Sequence, residues 1–558
     1  MMRRVFFGFI LLASFYKAGA QSTNATLNED CYHWIDRYEI KSGRIVPGFF
    51  TSVKPYKRDV IVKYLDTLSL NESIFSSRSD QYNREFLRND SWEWSNSETN
   101  TSKKPFLKEL YKKKSDLVYV DKPEFDLHVN PVLYLSAGSD SRRDDPITIN
   151  TRGIEIRGMI DRKVGFYTFL GENQSVLPLY VQEEVDRNQV VPHEGYWKTF
   201  KDNGVDFFQA RAYIDFNISK HIYLQFGNDR TFIGNGYRSL IFSDYSPPTL
   251  FLRANVRVWK LNYMYQLNRM AADARTSGNQ RYPEKFAAFH HASFNIGKKL
   301  NIGVFESVVF SPQDSVNDNS FDYSYLNPVI FFRAIEQQYG SSDNALLGLD
   351  FKWNMLKGVS MYGQLVLDEF KLDEVMAGDG WWANKYSMQL GLKYIDAFGV
   401  SNLDLQAEFN AVRPYTYAHY SQYGSYSNYR QSLAHPLGAN FNEWVGIIRY
   451  QPIPKLNLVA KTFFANPGRD DVDQNWGGDI LKNYNDREQD YGNTIGQGVS
   501  NTILFMDFTV SYMIRHNVFI DAKQIIRQSK SDLPSYNSNT SITSLALRWN
   551  IPQRLYDF

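Results

Sequence analysis

The chain has 558 residues, a formal net charge of only +1 with 22% charged residues, and 16% aromatics that include 37 Tyr and 39 Phe. Near neutrality leaves no basic excess for a nucleic-acid backbone, and the single cysteine, Cys31, excludes an intramolecular disulfide framework. Abundant Tyr and Phe with balanced charge suit a membrane β-barrel, which needs aromatic girdles outside and a polar lumen inside.

Residues 1–20 read as a secretory signal: Arg3 and Arg4 start it, Val5 to Phe15 form the apolar run, and Ala18–Gly19–Ala20 supply small residues before an expected mature start at Gln21. That run is too short for a spanning helix, and no other stretch offers about 18 apolar residues. Cys31 lies past the cleavage site in an acidic context, so it reads as a structural thiol and not as a lipid anchor. Residues 21–125 form a mixed segment. Helices are predicted over Pro55–Leu68, Ser79–Arg88 and Pro105–Lys114, with a polar linker at Asn89–Lys104. The segment belongs either in the periplasm or in the lumen as a plug.

From residue 126 the pattern changes to a period of two. Phe208, Ala210, Ala212, Ile214 and Phe216 alternate with Gln209, Arg211, Tyr213 and Asp215, and the same holds over 250–258, 347–355, 386–394, 403–411 and 545–551. Eighteen candidate strands run from 126–137 to 541–551, most with the roughly 9–11 residues that cross a bilayer when tilted. Short connections fall at 161–163, 219–220, 259–260, 297–298, 357–358, 398–400, 452–454 and 516. Long ones fall at 172–204, 232–249, 269–283, 312–345, 372–384, 413–438, 467–501 and 529–540. That rhythm predicts an all-β fold: an antiparallel transmembrane β-barrel of about 18 strands over 126–558, in the bacterial outer membrane, with both barrel ends on the periplasmic side. Phe558 follows the last strand-like run and resembles the terminal aromatic of such barrels.

Inward positions carry both signs, among them Arg211, Asp215, Arg253, Arg257, Asp350, Lys352, Asp404, Glu408, Asp521, Lys523 and Arg548. A cross-linked, closed or narrow lumen follows more readily than a pore of one sign; a weakly selective pore is the alternative. After the strand ending near 231, Gly234 and Gly236 allow tight backbone packing. The loop they open is expected to fold inward, with Asp229 and Arg230 at the strand's outer end and Arg238 and Asp244 in a charge network; a plain stabilised hairpin is the alternative. At 325–340, Asn327–Pro328 starts a turn and Val329–Gln337 a short helix too apolar for an open loop. That helix is expected to tuck into the barrel mouth as a constriction, with Arg333 and Glu336 facing the lumen.

Tyr415, Tyr417, Tyr420, Tyr423 and Tyr426 crowd one loop, where rings could stack on sugars, or pack on neighbours or a protein partner. Asp470, Asp471, Asp473 and Asp479 lack the spacing of a calcium loop and read as solvated acids. His290 and His291 point to opposite faces of one strand, so no metal and no cofactor are expected. No serine-centred elbow, zinc helix or phosphate-cradling loop points to an enzyme.

Two stretches, FGNDRTFIGNGYRSLIFSDYSPPTLFLR (226–253) and YLNPVIFFRAIEQQYGSSDNALLGLDFKW (325–353), resemble the Wzi-type capsule assembly family of outer-membrane barrels, including gliding-motility-linked relatives. SVKPYKRDVI (52–61) is similar to that family's entry segment. The resemblance implies an 18-stranded barrel with a non-enzymatic role: assembling or attaching surface polysaccharide, or serving surface motility. Residues 21–125 read as an addition to that plan, which points to an alternative, a barrel subunit of a larger secretion or assembly complex. A diffusion porin is the third reading. The partners implied are the lipid bilayer, surface polysaccharide and other outer-membrane or periplasmic proteins, with no nucleic acid.

Overall fold

A computed structural model describes residues 22–27, 29–95, 97–274, 282–314, 321–329, 331–339 and 343–558. The signal segment expected at 1–20 and Gln21 lie outside the described residues. Among those described, eighteen long antiparallel strands close into a barrel. They are β1 (Phe125–Asp140), β2 (Ile147–Ile160), β3 (Val164–Val176), β4 (Gly204–Asn217), β5 (Ile222–Asp229), β6 (Thr249–Val258), β7 (Leu261–Ala271), β8 (Glu284–Ile296), β9 (Leu300–Phe310), β10 (Asn344–Leu356), β11 (Val359–Glu369), β12 (Lys385–Tyr394), β13 (Leu403–Val412), β14 (Phe441–Ile453), β15 (Leu456–Pro467), β16 (Asn501–Arg515), β17 (Val518–Ser531) and β18 (Ser538–Trp549). Sequence neighbours pair throughout, and β18 closes on β1 with Trp549 opposite Leu133 and Ile542 opposite Asp140.

The period of two decides the two faces. On β4, Phe208 (62% exposed) and Ile214 (49%) point outward, while Arg211 and Asp215 between them are buried inside. On β6, Leu250 and Leu252 face out and Arg253 and Asn255 face in. An apolar outer wall around a polar lumen is a transmembrane β-barrel, because closure leaves no unpaired strand edge in lipid. Among the described residues no helix is long and apolar enough to cross a membrane.

The region before β1 folds against the short-turn end. It holds α1 (Cys31–Ser42), α2 (Arg58–Ser69) and α3 (Arg78–Asp90). Ser77 and Asp80 form a capping box that starts α3. Trp34, Ile35, Tyr38, Tyr64, Leu65 and Phe86 make the core between the helices. Turns of the barrel dock on them: Ile45 N–H donates to Lys298 (2.8 Å), Gly358 N–H to Ile40 (3.0 Å), and Asn83 exchanges side-chain hydrogen bonds with Gln451.

The helix expected at Pro105–Lys114 is absent. Leu107, Lys108 and Tyr111 take positive φ in a run of turns, and Phe106 and Leu107 are exposed. With no surface for an apolar stripe to bury against, and three consecutive lysines at 112–114, a short helix has nothing to hold it. Conversely, no helix was predicted at α1 from the sequence. Its charges find partners inside: Arg37 pairs with Asp80 of α3, with Asp396 in the turn after β12 and with Asp404 of the wall, and Lys352 of the wall lies 2.6 Å from both Asp36 and Glu39. Burial alone would raise the Asp36 carboxyl, but Lys352 and Lys393 hold it far below the usual carboxylate range.

Arg37 is therefore a countercharge for three carboxylates, joined among the described residues by Lys41 at Asp80 and Asp396 and by His33 at Asp404. Arg37→Ala is expected to destabilise docking of the helical region by about 3–5 kcal/mol, since it strands buried charge. Limited proteolysis of detergent-folded protein should then cut within 22–95 while the barrel stays intact; unchanged resistance would contradict this role.

Candidate functional site

The connection after β5 turns into the lumen. Phe232–Ile233 pairs with Val53–Lys54 of the N-terminal region. A Cβ at Gly234 (φ 142°) would lie 2.5 Å from Gln364 Nε2, and one at Gly236 would lie 2.6 Å from Glu408 Oε2, so only glycine permits this approach to the wall. Just past it, the N–H groups of Tyr237 (2.7 Å) and Arg238 (3.1 Å) both donate to the Glu408 carboxylate on β13. The Arg238 guanidinium bridges Glu443 and Asp557, each at 3.1 Å, and His435 Nε2 meets Glu443 at 2.8 Å. Arg230 pairs with Glu194 at 2.9 Å, and Asp229 stands 3.8 Å from Arg211. The carbonyl of Asp244 contacts His193. Arg253 is held by Gln266 and Gln225 behind the loop, whereas Arg257 stands near the short-turn end over Phe50, apart from this group. Leu240, Ile241 and Phe242 pack on inward Phe289, Phe305 and Val366.

The loop of 413–440 also turns inward, and this corrects its reading as a sugar-contact surface. Tyr415, Tyr417 and Tyr426 are fully buried. Tyr417 donates to the Leu240 carbonyl (2.7 Å), Tyr426 to Ile241 (2.6 Å) and Tyr415 to Asn475 (2.8 Å), and the rings of Tyr417 and Tyr426 stack at 5.5 Å. These hydroxyls satisfy backbone carbonyls of neighbouring loops in the interior, the ordinary need of a buried tyrosine. Tyr420 and Tyr423 remain half-buried.

A third insertion is α4 (Leu179–Asn188), whose Tyr180, Val181 and Val185 pack on inward Val205, Phe207, Phe463 and Phe505. Residues 550–558 enter the lumen as well. Phe558 is not on the last strand, which ends at Trp549; it lies against Tyr180 and Tyr245, and its main-chain oxygen accepts from Arg527. Burial by itself would raise the Asp557 carboxyl, but Arg238 and Lys461 hold it below the usual carboxylate range.

The segment around 325–340 is placed differently from expectation. Its helix, α5 (Phe332–Tyr339), does not enter the mouth. Tyr325 and Phe332 pack on Tyr265, Ala288, Val308 and Phe310, which point away from the lumen, so the segment lies on the outer wall of β7–β9. Arg333 donates its N–H to outward Glu306 (2.9 Å), and the side chain of Glu336 lies outside the described residues. Sequence pattern had shown only that the segment needs an apolar surface, and a barrel offers one on each side.

Two of the cavities left among the described residues are lined by several charged side chains. One of about 230 Å³ sits between α1, the 232–245 loop and the C-terminal residues, lined by Lys54, Tyr237, Arg449, Asn457 and Lys461. The other, about 460 Å³, opens at the long-loop end between α4, the 467–482 loop and the tops of β15–β18. Three of its acids are paired, Glu183 with Arg142 (2.6 Å), Glu184 with Arg187 (3.0 Å) and Asp470 with Lys482 (2.8 Å), while Asp471 and Asp479 accept main-chain N–H groups of Val472 and Leu481. Arg469 lies over the Tyr536 ring at 5.6 Å, and its buried Nε has no hydrogen-bond partner among the described residues. Burial and the nearby Arg187 push Arg469 below the usual arginine value. None of the loop-467–501 arginines or asparagines here stood out in the sequence, because their convergence is set by barrel closure.

No protein-family model and no curated sequence matches the chain. Among solved structures it is similar to Wzi of Escherichia coli, described as an outer membrane protein involved in group 1 capsule assembly and a carbohydrate-binding β-barrel. Identity is 14% and the TM-score 0.58, over 96% of this chain and 100% of that one. It is also similar to OprD of Pseudomonas aeruginosa (11%, TM-score 0.43, 76% of this chain and 94% of that one) and to OccK8 of the same organism (9%, 0.41, 76% and 97%).

Arg238→Ala removes the guanidinium that links Glu443 to Asp557, leaving His435 at Glu443 and Tyr237 at Asp557. It is expected to release the C-terminal residues and to give conductance steps in planar bilayers where the parent protein is silent. Because the Asp557 carboxyl is depressed in the fold, its contribution is complete above its ordinary pKa near about 4 and is lost only as pH falls below that. Parent-protein conductance should accordingly stay unchanged between about pH 5 and 8 and rise only in stronger acid. The chain is an outer-membrane β-barrel whose lumen is filled by its own loops, its N-terminal helices and its C-terminal residues.

Proposed function

We propose that this barrel is a non-enzymatic scaffold that engages surface polysaccharide at its long-loop end, in assembly or attachment of a capsule-like layer. The observation that carries the reading is the 460 Å³ cavity at that end, in which Arg469 has a buried donor without a partner among the described residues while Glu183, Glu184 and Asp470 are already paired. A buried donor without a partner asks for an acceptor from outside, and sugar hydroxyls or carboxylates supply one. Asn501 lines the same space with a buried amide nitrogen that also lacks a partner among the described residues, and Asn188, Gln431 and Asn537 line it with amides that are hydrogen-bonded within the protein. The likeness to Wzi, itself described as carbohydrate-binding, supports the reading at the level of fold.

The N-terminal region serves in this reading as a plug. Its α1 fills the short-turn end and exchanges ion pairs with inward Lys352, Lys393 and Asp404, which leaves diffusion through the barrel poorly served. Short turns then face the periplasm and long loops the outside, as in outer-membrane barrels generally.

Deleting the protein is expected to reduce surface polysaccharide retained on cells, measured by capsule staining. Arg469→Ala combined with Asn537→Ala should reproduce most of that loss with the barrel still folded in the membrane. Full retention in both strains would overturn the reading.

A further inference from the structure

The outer wall carries a polar pair where lipid is expected. In the register of β7–β9, Tyr265, His290 and Glu306 stand side by side and face outward. Below them on the same face are Ala292 and Val304, then Phe294 and Ile302. A carboxylate on the lipid side of a barrel is costly, and the cost grows with depth. Here it is covered. Glu306 accepts the N–H of Phe332 and of Arg333, both at 2.9 Å, which are the first donors of α5. Helix N-terminal N–H groups are otherwise unsatisfied, so wall and helix each complete the other. The Phe332 ring lies 3.9 Å from the His290 ring. Two tyrosines of the wall fasten the preceding chain: Tyr265 donates to the Tyr325 carbonyl (2.9 Å) and Tyr263 to Pro328. Phe310 packs on Phe321 and Tyr325.

What this segment shows to the outside is largely apolar, with Asn327 as an exposed polar exception. Tyr323 (73% exposed), Leu326 (42%), Val329 (80%) and Phe331 (74%) project from it, and no residue from Tyr323 to Val329 carries a charge. These side chains continue the apolar band of the wall, whose Leu252, Phe294 and Val304 face the same way. A water-exposed loop would leave this patch uncovered, contrary to the behaviour of soluble surfaces.

We propose that the segment from Phe321 through the start of α5 is a membrane-embedded clasp. It lies in the outer leaflet against β7–β9, satisfies the Glu306 carboxylate, and presents Tyr323, Leu326, Val329 and Phe331 to lipid acyl chains. It is the barrel's counterpart of an interfacial amphipathic helix. The occupant of its outer face is lipid, because the patch is continuous with a lipid-facing band.

Spin labels at Val329→Cys and Phe331→Cys, in the full chain reconstituted in phosphatidylcholine vesicles, test this; Cys31 is buried and leaves the background silent. Leu252→Cys is the lipid-facing control and Val472→Cys the aqueous-loop control, the latter 82% exposed. The expected result is oxygen accessibility like the Leu252 site, with accessibility to a water-soluble nickel chelate several-fold below the Val472 site. Aqueous behaviour at both positions would overturn the clasp, as would shielding from both probes, which would mean a protein partner. In a Glu306→Ala background the Phe331 label should gain nickel accessibility several-fold while the Leu252 label stays unchanged. No change there would refute the carboxylate as the fastening.

Discussion

Every inward side chain of a closed, filled barrel loses much of its water, so each buried charge needs a partner within the molecule. That requirement organises this structure. Arg37 on α1 meets Asp404 of the wall, Lys352 of the wall meets Asp36 and Glu39 of α1, and Arg238 of a loop meets Glu443 of the wall and Asp557 of the chain's end. The partners come from distant parts of the sequence, which ties helices, loops and terminal residues to one cylinder. Replacing any one of these groups leaves its partner stranded, so the filling is cooperative.

Electrostatics alone does not fill the lumen. Towards the long-loop end the inward face turns apolar, with Phe289, Phe305, Val366 and Phe441 receiving Leu240, Ile241, Phe242, Tyr417 and Tyr426 from two loops. The barrel therefore has a conventional hydrophobic core in its upper part, with ion pairs such as Arg238–Glu443 and Lys385–Asp368 beside it and the α1 network below it. Such an interior suits a rigid platform better than a conduit. It leaves its free chemistry at the outer rim, where the Arg469 cavity lies.

The same economy operates on the outside. A polar pair, Glu306 and His290, would be poorly placed against lipid, and a segment of the long connection after β9 folds back to satisfy it. Loops in this protein thus serve both faces of the wall, and their apolar content is spent on packing instead of display.

The period of two, with strand lengths and the alternation of short and long connections, was enough to place all eighteen strands within a few residues, because side-chain direction in a strand is a local property. Helices α2 and α3 were legible from apolar spacing, with Pro55 marking the start of the first, again local signals. The mixed signs of inward positions such as Arg253, Lys352 and Glu408 were legible too, though not their partners. The destinations of the loops were not legible. Tyr417 and Tyr426 look alike whether they meet sugar or a carbonyl, the residues from Tyr325 to Phe332 suit either face of the wall, and the charged face of α1 resembles one meant for water. Those choices depend on which surfaces barrel closure brings within reach, and contacts across hundreds of residues are set only by the tertiary structure.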